Sequence, residues 1–284
     1  MGNVCPWRRK PIPAMASFFC RSGKLLSLDR RGCHRTEAVR SVGGFDENNV
    51  TEDLATSIKL HKKGYKTVYY SRPLALGEAP QTLNSYFIQQ SRWSQGSLGI
   101  FFKVIKLLFK RKMLGMRQKL GYLVTTSWYF VGLVNLMMLI FPLLFIFFNV
   151  VSIVTPAFYI FIFAFYILFE FVAFSVTIVS IQKSIVPLLR NISLTFISSP
   201  IFVKSAFYAL IGKRTSFKVT PKEDSTKLPL RGIWAQVLLI FITGSGAAYS
   251  VIRYTSGGTV QYLYNGMFML YFFILSLSVF YFNK

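Results

Sequence analysis

The sequence predicts a mixed α/β region followed by an α-helical transmembrane region with interfacial helices. Three observations predict it. No charged residue occurs between Gly121 and Phe169, a run far longer than the roughly 20 apolar residues that cross a bilayer. The composition is 53% hydrophobic and 17% aromatic, with 29 Phe and only 15% charged residues, which excludes an ordinary soluble domain. Ahead of these runs, residues 1–83 carry a helical pattern followed by an alternating one.

The elements follow in order. Thr51 to about Lys63 reads as a helix, with Thr51 as N-cap, Leu54 and Ile58 on one face and Gly64 as the stop. Tyr65–Tyr70 alternates Tyr65, Thr67 and Tyr69 and reads as a strand. Residues 84–112 read as a helix at the lipid headgroups. Ile100, Phe101, Val104, Ile105, Leu108 and Phe109 are apolar there, and Lys103, Lys106 and Lys110 lie on another face. Spans are expected at 122–148, 155–181, 233–253 and 261–282. A second interfacial stretch, about 185–211, contains Pro187 and Pro200. Its polar residues, among them Arg190, Ser198, Ser199 and Lys204, argue against a fifth span. The domain reading is therefore 1–83, an interfacial helix within 84–120, and a membrane region over 121–284 with a polar segment at 182–232.

The net charge of +23 has three common meanings: nucleic acid, an anionic membrane surface or an anionic substrate. The basic residues cluster beside the apolar runs, which favours the membrane and speaks against nucleic acid. Residues 149–154 carry no basic residue, 182–232 are rich in them, and only Arg253 lies near the turn between the last two spans. By the positive-inside rule, the polar region, the 182–232 segment and both termini are cytoplasmic. Cys5, Cys20 and Cys33 are spaced neither as a disulfide framework nor as a zinc site. The first residues do not read as a signal peptide.

Three short motifs hold candidate chemistry. Thr51-Glu52-Asp53 follows Gly43-Gly44-Phe45. Acids in a first turn are favoured by the helix dipole, which is one reading. The other is a general base for transfer of a sugar to a hydroxyl, whose proton must be accepted as the bond forms. Gln89, Arg92 and Trp93 stand at i, i+3 and i+4 of one helix and share a face. The guanidinium suits phosphate oxygens and the indole suits the flat side of a sugar. A Trp–Arg pair anchored in headgroups accounts for the same residues. Phe217-Lys218-Val219-Thr220-Pro221-Lys222 by itself is a basic loop with one aromatic.

The order TED, QxxRW, paired spans and FxVTxK resembles family-2 glycosyltransferases of the cellulose synthase type, over nearly the whole chain. A weaker match is Phe18-Phe19-Cys20-Arg21-Ser22, where the family reads FFCGS. The resemblance implies a GT-A-type catalytic domain, of which residues 1–83 would be the carboxyl-terminal portion. It implies Asp53 as catalytic base, with Glu52 and Thr51 shaping its surroundings. Gln89 and Arg92 would face the nucleoside diphosphate and acceptor, Trp93 would hold the terminal sugar, and Cys20 would belong to the substrate site. Phe217, Val219, Thr220 and Lys222 would form a gating loop. A processive, inverting reaction is implied, drawing on a UDP-sugar and passing a growing β-linked polysaccharide through the membrane. Glu170, a carboxylate inside an expected span, is expensive there and is expected to line the polymer path or pair with a basic side chain.

Two upstream aspartate motifs of the family find no match. No Asp-x-Asp occurs in the sequence, and nothing matches the aspartate motif that contacts the nucleobase. The Mg or Mn ion of the complete enzyme would therefore find no ligands in this chain. The chain is expected to be inactive alone and to depend on a polypeptide supplying the amino-terminal half. No carboxyl-terminal cyclic-dinucleotide domain follows the last span, and Lys24–Arg35 is more basic than the family's equivalent. A hyaluronan- or chitin-like synthase, a lipid-carrier glycosyltransferase and a non-catalytic polysaccharide export component are the alternatives.

Overall fold

A computed structural model describes residues 35–47, 49–67, 80–110, 113–150, 186–213 and 227–284, and five single residues between 161 and 172. The described residues contain helices and irregular segments and no strand. The α part of the expected α/β region is thus visible. Tyr65–Thr67 are irregular, and the rest of the expected strand lies outside the described residues.

The chain divides into two compact units. One takes its residues from 1–79 and 95–127, the other from 80–94 and 128–284.

In the first unit, α1 (Thr36–Ser41) packs on α2 (Glu52–Lys62) through Ala38 and Leu60. Between them Gly43 and Gly44 both take positive φ, 84° and 89°, a conformation that side chains bearing Cβ resist. The turn delivers Asp46 onto α2. Its amide donates to Thr56 Oγ1 at 2.9 Å, and its carboxylate pairs with Lys59 at 3.0 Å. Gly64, at φ +84°, ends α2 where the sequence places the stop, and Tyr65 N–H bonds back to Leu60 O at 3.2 Å.

The helix α3 (Leu83–Leu108) runs 26 residues. Its residues through Ser94 belong to the second unit and the remainder to the first. In the first unit Ile100, Val104 and Leu107 are buried with Ala55 and Ile58 of α2, and with Leu114 and Tyr122. Part of the apolar face expected at the headgroups is therefore covered by protein. The next helix, α4 (Met116–Ser127), sends Lys119 back to the end of α3. Its ammonium is buried and donates to Leu108 O at 3.2 Å and Lys110 O at 2.8 Å. Leu108 O is a last-turn carbonyl with no partner inside its own helix, Lys110 O lies just beyond the helix end, and a cation there complements the dipole.

The second unit is a helical bundle. A 3₁₀ turn (Trp128–Phe130) leads into α5 (Val131–Phe148), which ends on Asn149 at φ 52°. Two short helices follow at α6 (Val186–Ile197) and α7 (Ser199–Leu210), then α8 (Trp234–Thr255) and α9 (Val260–Phe282). Leu139, Phe145, Ile146, Phe196, Phe268, Met269 and Phe272 form the core. A Cβ on Gly132 would stand 2.5 Å from Phe202 Cβ and 3.0 Å from Ser199 O. Only glycine lets α5 and α7 approach so closely, as is common where helices meet in lipid.

Among the described residues three stretches are long and apolar enough to cross a membrane: Met116–Phe148, Leu230–Thr255 and Val260–Phe282. The first begins six residues before the expected 122 and includes all of α4. Leu189–Ile197 and Ser199–Leu210 pass the same test as a pair, bent by 50°. The expected span at 155–181 falls on largely undescribed residues, of which Phe161, Ala164, Phe165, Leu168 and Val172 are helical. Glu170 lies outside the described residues.

Candidate functional site

The first part of the site is the amino-terminal end of α2. Thr51 occupies the N-cap position, as the sequence suggests, but makes no capping hydrogen bond through its side chain. Its hydroxyl is buried without a hydrogen-bond partner among the described residues. The side chain packs instead against α3. A Cβ on Gly96 would meet Thr51 Cγ2 at 2.5 Å and Oγ1 at 2.8 Å. Glycine at position 96 thus makes room for the threonine, and the start of α2 rests on the backbone of α3. Glu52 and Asp53 follow in the first turn. Asp53 is exposed and Glu52 half-buried. Asp53 Oδ1 accepts the Leu54 amide at 2.7 Å, and its carbonyl accepts Ser57 Oγ at 2.8 Å. The carboxylate therefore faces solvent from a helix start whose backbone is fixed on both sides.

The foot of the same helix is fixed by His61. Its Nδ1 shares a 2.6 Å hydrogen bond with Tyr122 Oη, and its Nε2 lies 3.2 Å from Thr67 Oγ1. Burial pushes the imidazole below its usual value, because the charged form loses water there.

The second part lies on α3 in the second unit. Leu83, Phe87 and Ser94 are buried along one side of this helix. Leu83 and Phe87 pack with Ile197, Ile233 and Val279, and Ser94 Oγ shares a 2.7 Å bond with Ser205 Oγ of α7. At 100° per residue, Gln89, Arg92 and Trp93 project on the roughly opposite side. Gln89 and Arg92 are half-buried and Trp93 is 42% exposed. The three do share a face, and the indole offers an accessible surface.

Asp53 belongs to the first unit, and Gln89, Arg92 and Trp93 to the second. Cys20 and the expected gating residues Phe217, Val219, Thr220 and Lys222 lie outside the described residues. Among the described residues no three His, Cys, Asp or Glu side chains converge as a metal site would require.

Gly96 is the residue that sequence reasoning passed over. A signal was there. Glycine within a long helical pattern lowers helix stability by about 1 kcal/mol and points to a close packing need. Lys119 carried no such signal, because a lysine flanking an apolar run reads as an ordinary headgroup contact.

Comparison with known proteins bears on this arrangement. The family described as glycosyl transferase family group 2 matches residues 16–177. The UDP-forming cellulose synthase 1 catalytic subunit of Komagataeibacter xylinus is 34% identical over 134 residues, covering 47% of this chain and 17% of that protein. The UDP-forming cellulose synthase catalytic subunit of Pseudomonas fluorescens (strain SBW25) is likewise 34% identical over 134 residues, with the same coverage of 47% and 17%. Cellulose synthase 2 of Novacetimonas hansenii is 33% identical over 150 residues, 53% of this chain and 9% of that protein. The matched part of the chain is thus a small fraction of each relative's length.

Proposed function

Because this chain belongs to glycosyl transferase family group 2, we propose that it is the acceptor-side and membrane portion of a processive, inverting synthase of a β-linked glucan. The donor is a UDP-sugar, and the product leaves through the membrane region. The observation that supports this most is the exposed Asp53 carboxylate in the first turn of α2, with Thr51 seated on Gly96 behind it.

The chemistry is a single displacement. An acceptor hydroxyl attacks the anomeric carbon, the bond to the diphosphate breaks, and UDP departs with the bonding electrons. Asp53 takes the hydroxyl proton as the new glycosidic bond forms. Gln89 and Arg92 donate hydrogen bonds to diphosphate and acceptor oxygens. Trp93 lies under the terminal sugar ring and keeps its hydroxyl in line. Phe217, Val219, Thr220 and Lys222 close over the donor. In the complete enzyme a divalent ion, Mg or Mn, would supply charge neutralisation to the leaving diphosphate; among the described residues of this chain no cluster of ligands is present to hold it. The chain is accordingly proposed to need a polypeptide carrying those ligands. The soluble region and both termini are cytoplasmic in this reading.

The test is Asp53→Asn in a reconstituted system that contains the metal-binding segment. Loss of a general base costs about 10²–10⁴-fold in turnover, so sugar incorporation should fall by at least that much while UDP binding persists. Unchanged incorporation would mean that Asp53 is not the base. A pure export component would carry polymer equally well with either residue.

A further inference from the structure

Every charged side chain between Glu78 and Glu170 is basic. Within that stretch α3 carries Lys103 and Lys106, three residues apart on one side of the helix, and Lys110 follows two residues past its end. All three are exposed. Lys62, at the last turn of α2, is exposed as well and belongs to the same unit. Its ammonium is held below the usual lysine value, first by partial burial and then by the charges of Lys110 and Lys103. Lys103 Nζ lies 3.5 Å from a neutral acceptor, Asn49 Oδ1. Like charges have therefore been gathered from two helices into one patch.

The patch has apolar neighbours in the chain. Phe109 is 82% exposed, Met113 44% and Met116 65%. Met116 also opens the first stretch long and apolar enough to cross a membrane. Cations beside exposed aromatic and thioether side chains, at the root of a span, suit the boundary between headgroup and acyl chain. A free nucleotide or phosphate would use the cations and leave the apolar residues in water.

We propose that Lys62, Lys103 and Lys110 form a docking surface for the phosphodiester headgroups of anionic phospholipids, on the membrane face where the first span begins. Lys106 widens the same field, and Phe109 and Met113 enter the layer beneath the phosphates. The surface needs only a membrane-embedded chain and does not depend on glycosyl transfer.

The experiment is native mass spectrometry of the full chain in detergent, titrated with phosphatidylglycerol or phosphatidylcholine of equal acyl length. Wild type should retain phosphatidylglycerol in preference. Each surface cation contributes about 1 kcal/mol toward anionic lipid, so the triple Lys→Gln change at 62, 103 and 110 should weaken retention about a hundredfold. The triple Lys→Arg variant should keep it. Removing the same charge elsewhere, by Lys204→Gln, Lys213→Gln and Lys227→Gln, should leave it unchanged. Equal retention of the two lipids by wild type, or undiminished phosphatidylglycerol binding by the triple Gln variant, would overturn the proposal. So would complete displacement of the lipid by inorganic phosphate at equal concentration, which would identify a free-phosphate site.

Discussion

Two glycines three residues apart on α3 make opposite demands. A methyl group on Gly96 would overlap Thr51 Cγ2, whereas one on Gly99 would meet nothing within 4 Å. Gly99 is also exposed. Replacing Gly99 by Ala removes only the conformational cost of glycine in a helix and should stabilise the chain by about 0.5–1 kcal/mol. Gly96→Ala gains the same term and then loses more, because the overlap forces α2 away from α3 at about 1–3 kcal/mol. Thr51→Ala combined with Gly96→Ala should recover most of the loss, a coupling that a double-mutant cycle reads directly. Thermal unfolding of the four variants decides the matter; equal effects of Gly96→Ala and Gly99→Ala would contradict the seating of Thr51. At this scale the sequence was informative about identity and less so about role. Thr51, Glu52 and Asp53 were legible as a helix start. That Thr51 turns away from capping and packs on Gly96 was not, because the partner lies 45 residues away along the chain.

Among the elements, α2 is held at both ends by different chemistry: close packing at Thr51 and a polar pair at His61. The latter makes the α2–α4 junction sensitive to acid. His61 has a folded pKa below that of a free imidazole, so the unfolded chain takes up the proton first as pH falls. The junction's stabilisation is complete above about pH 6.5, the ordinary imidazole value, and declines as pH drops through that value toward the lowered one. The unfolding midpoint of wild type should therefore fall between pH 7 and pH 5.5. His61→Gln, which does not titrate, should show a flatter profile over that window. Parallel profiles would show that His61 does not control it. Elements were the most legible scale. The amphipathic period of 84–112 and the apolar runs at 233–253 and 261–282 announced α3, α8 and α9 to within a few residues. The end of α3 was misread by a few residues because nothing local stops it at Leu108. Its last carbonyl, Leu108 O, and that of Lys110 just beyond it are satisfied by Lys119, from the following helix.

The whole molecule turns on how the chain behaves around Ser198. There α6 and α7 meet at 50°, and the interruption is lined by polar groups from neighbouring helices. Gln236 Nε2 donates to Ile197 O at 2.9 Å, and Asn135 Nδ2 donates to Ser199 Oγ at 2.9 Å. Broken backbone at membrane depth survives only when protein or cavity water satisfies it, so these bonds allow the pair to dip into the bilayer or to cross it. Charge favours a return to the same side. Arg190 precedes the bend, and Lys213 and Lys227 follow it; basic residues on both flanks belong on the cytoplasmic face. Arg190 is also fixed to the end of α9 through Tyr281 Oη at 2.9 Å, and Leu228 is joined through both backbone groups to Asn283, each at 2.9 Å. Segments on either side of the bend are thus bonded to one end of one helix, which a full crossing between them would have to separate by roughly the 30 Å of a hydrocarbon core. Single cysteines in a chain whose native Cys5, Cys20 and Cys33 are serine provide the measurement. An impermeant thiol reagent outside intact cells should label Val150→Cys and Ser256→Cys and spare Lys213→Cys and Lys284→Cys. Labelling at 213 with protection at 284 would make α6–α7 a true span, reverse the side assigned to one part of the bundle, and leave the segment 214–226, with its proposed gating residues, on the wrong face of the membrane to meet the proposed UDP-sugar from the cytoplasm.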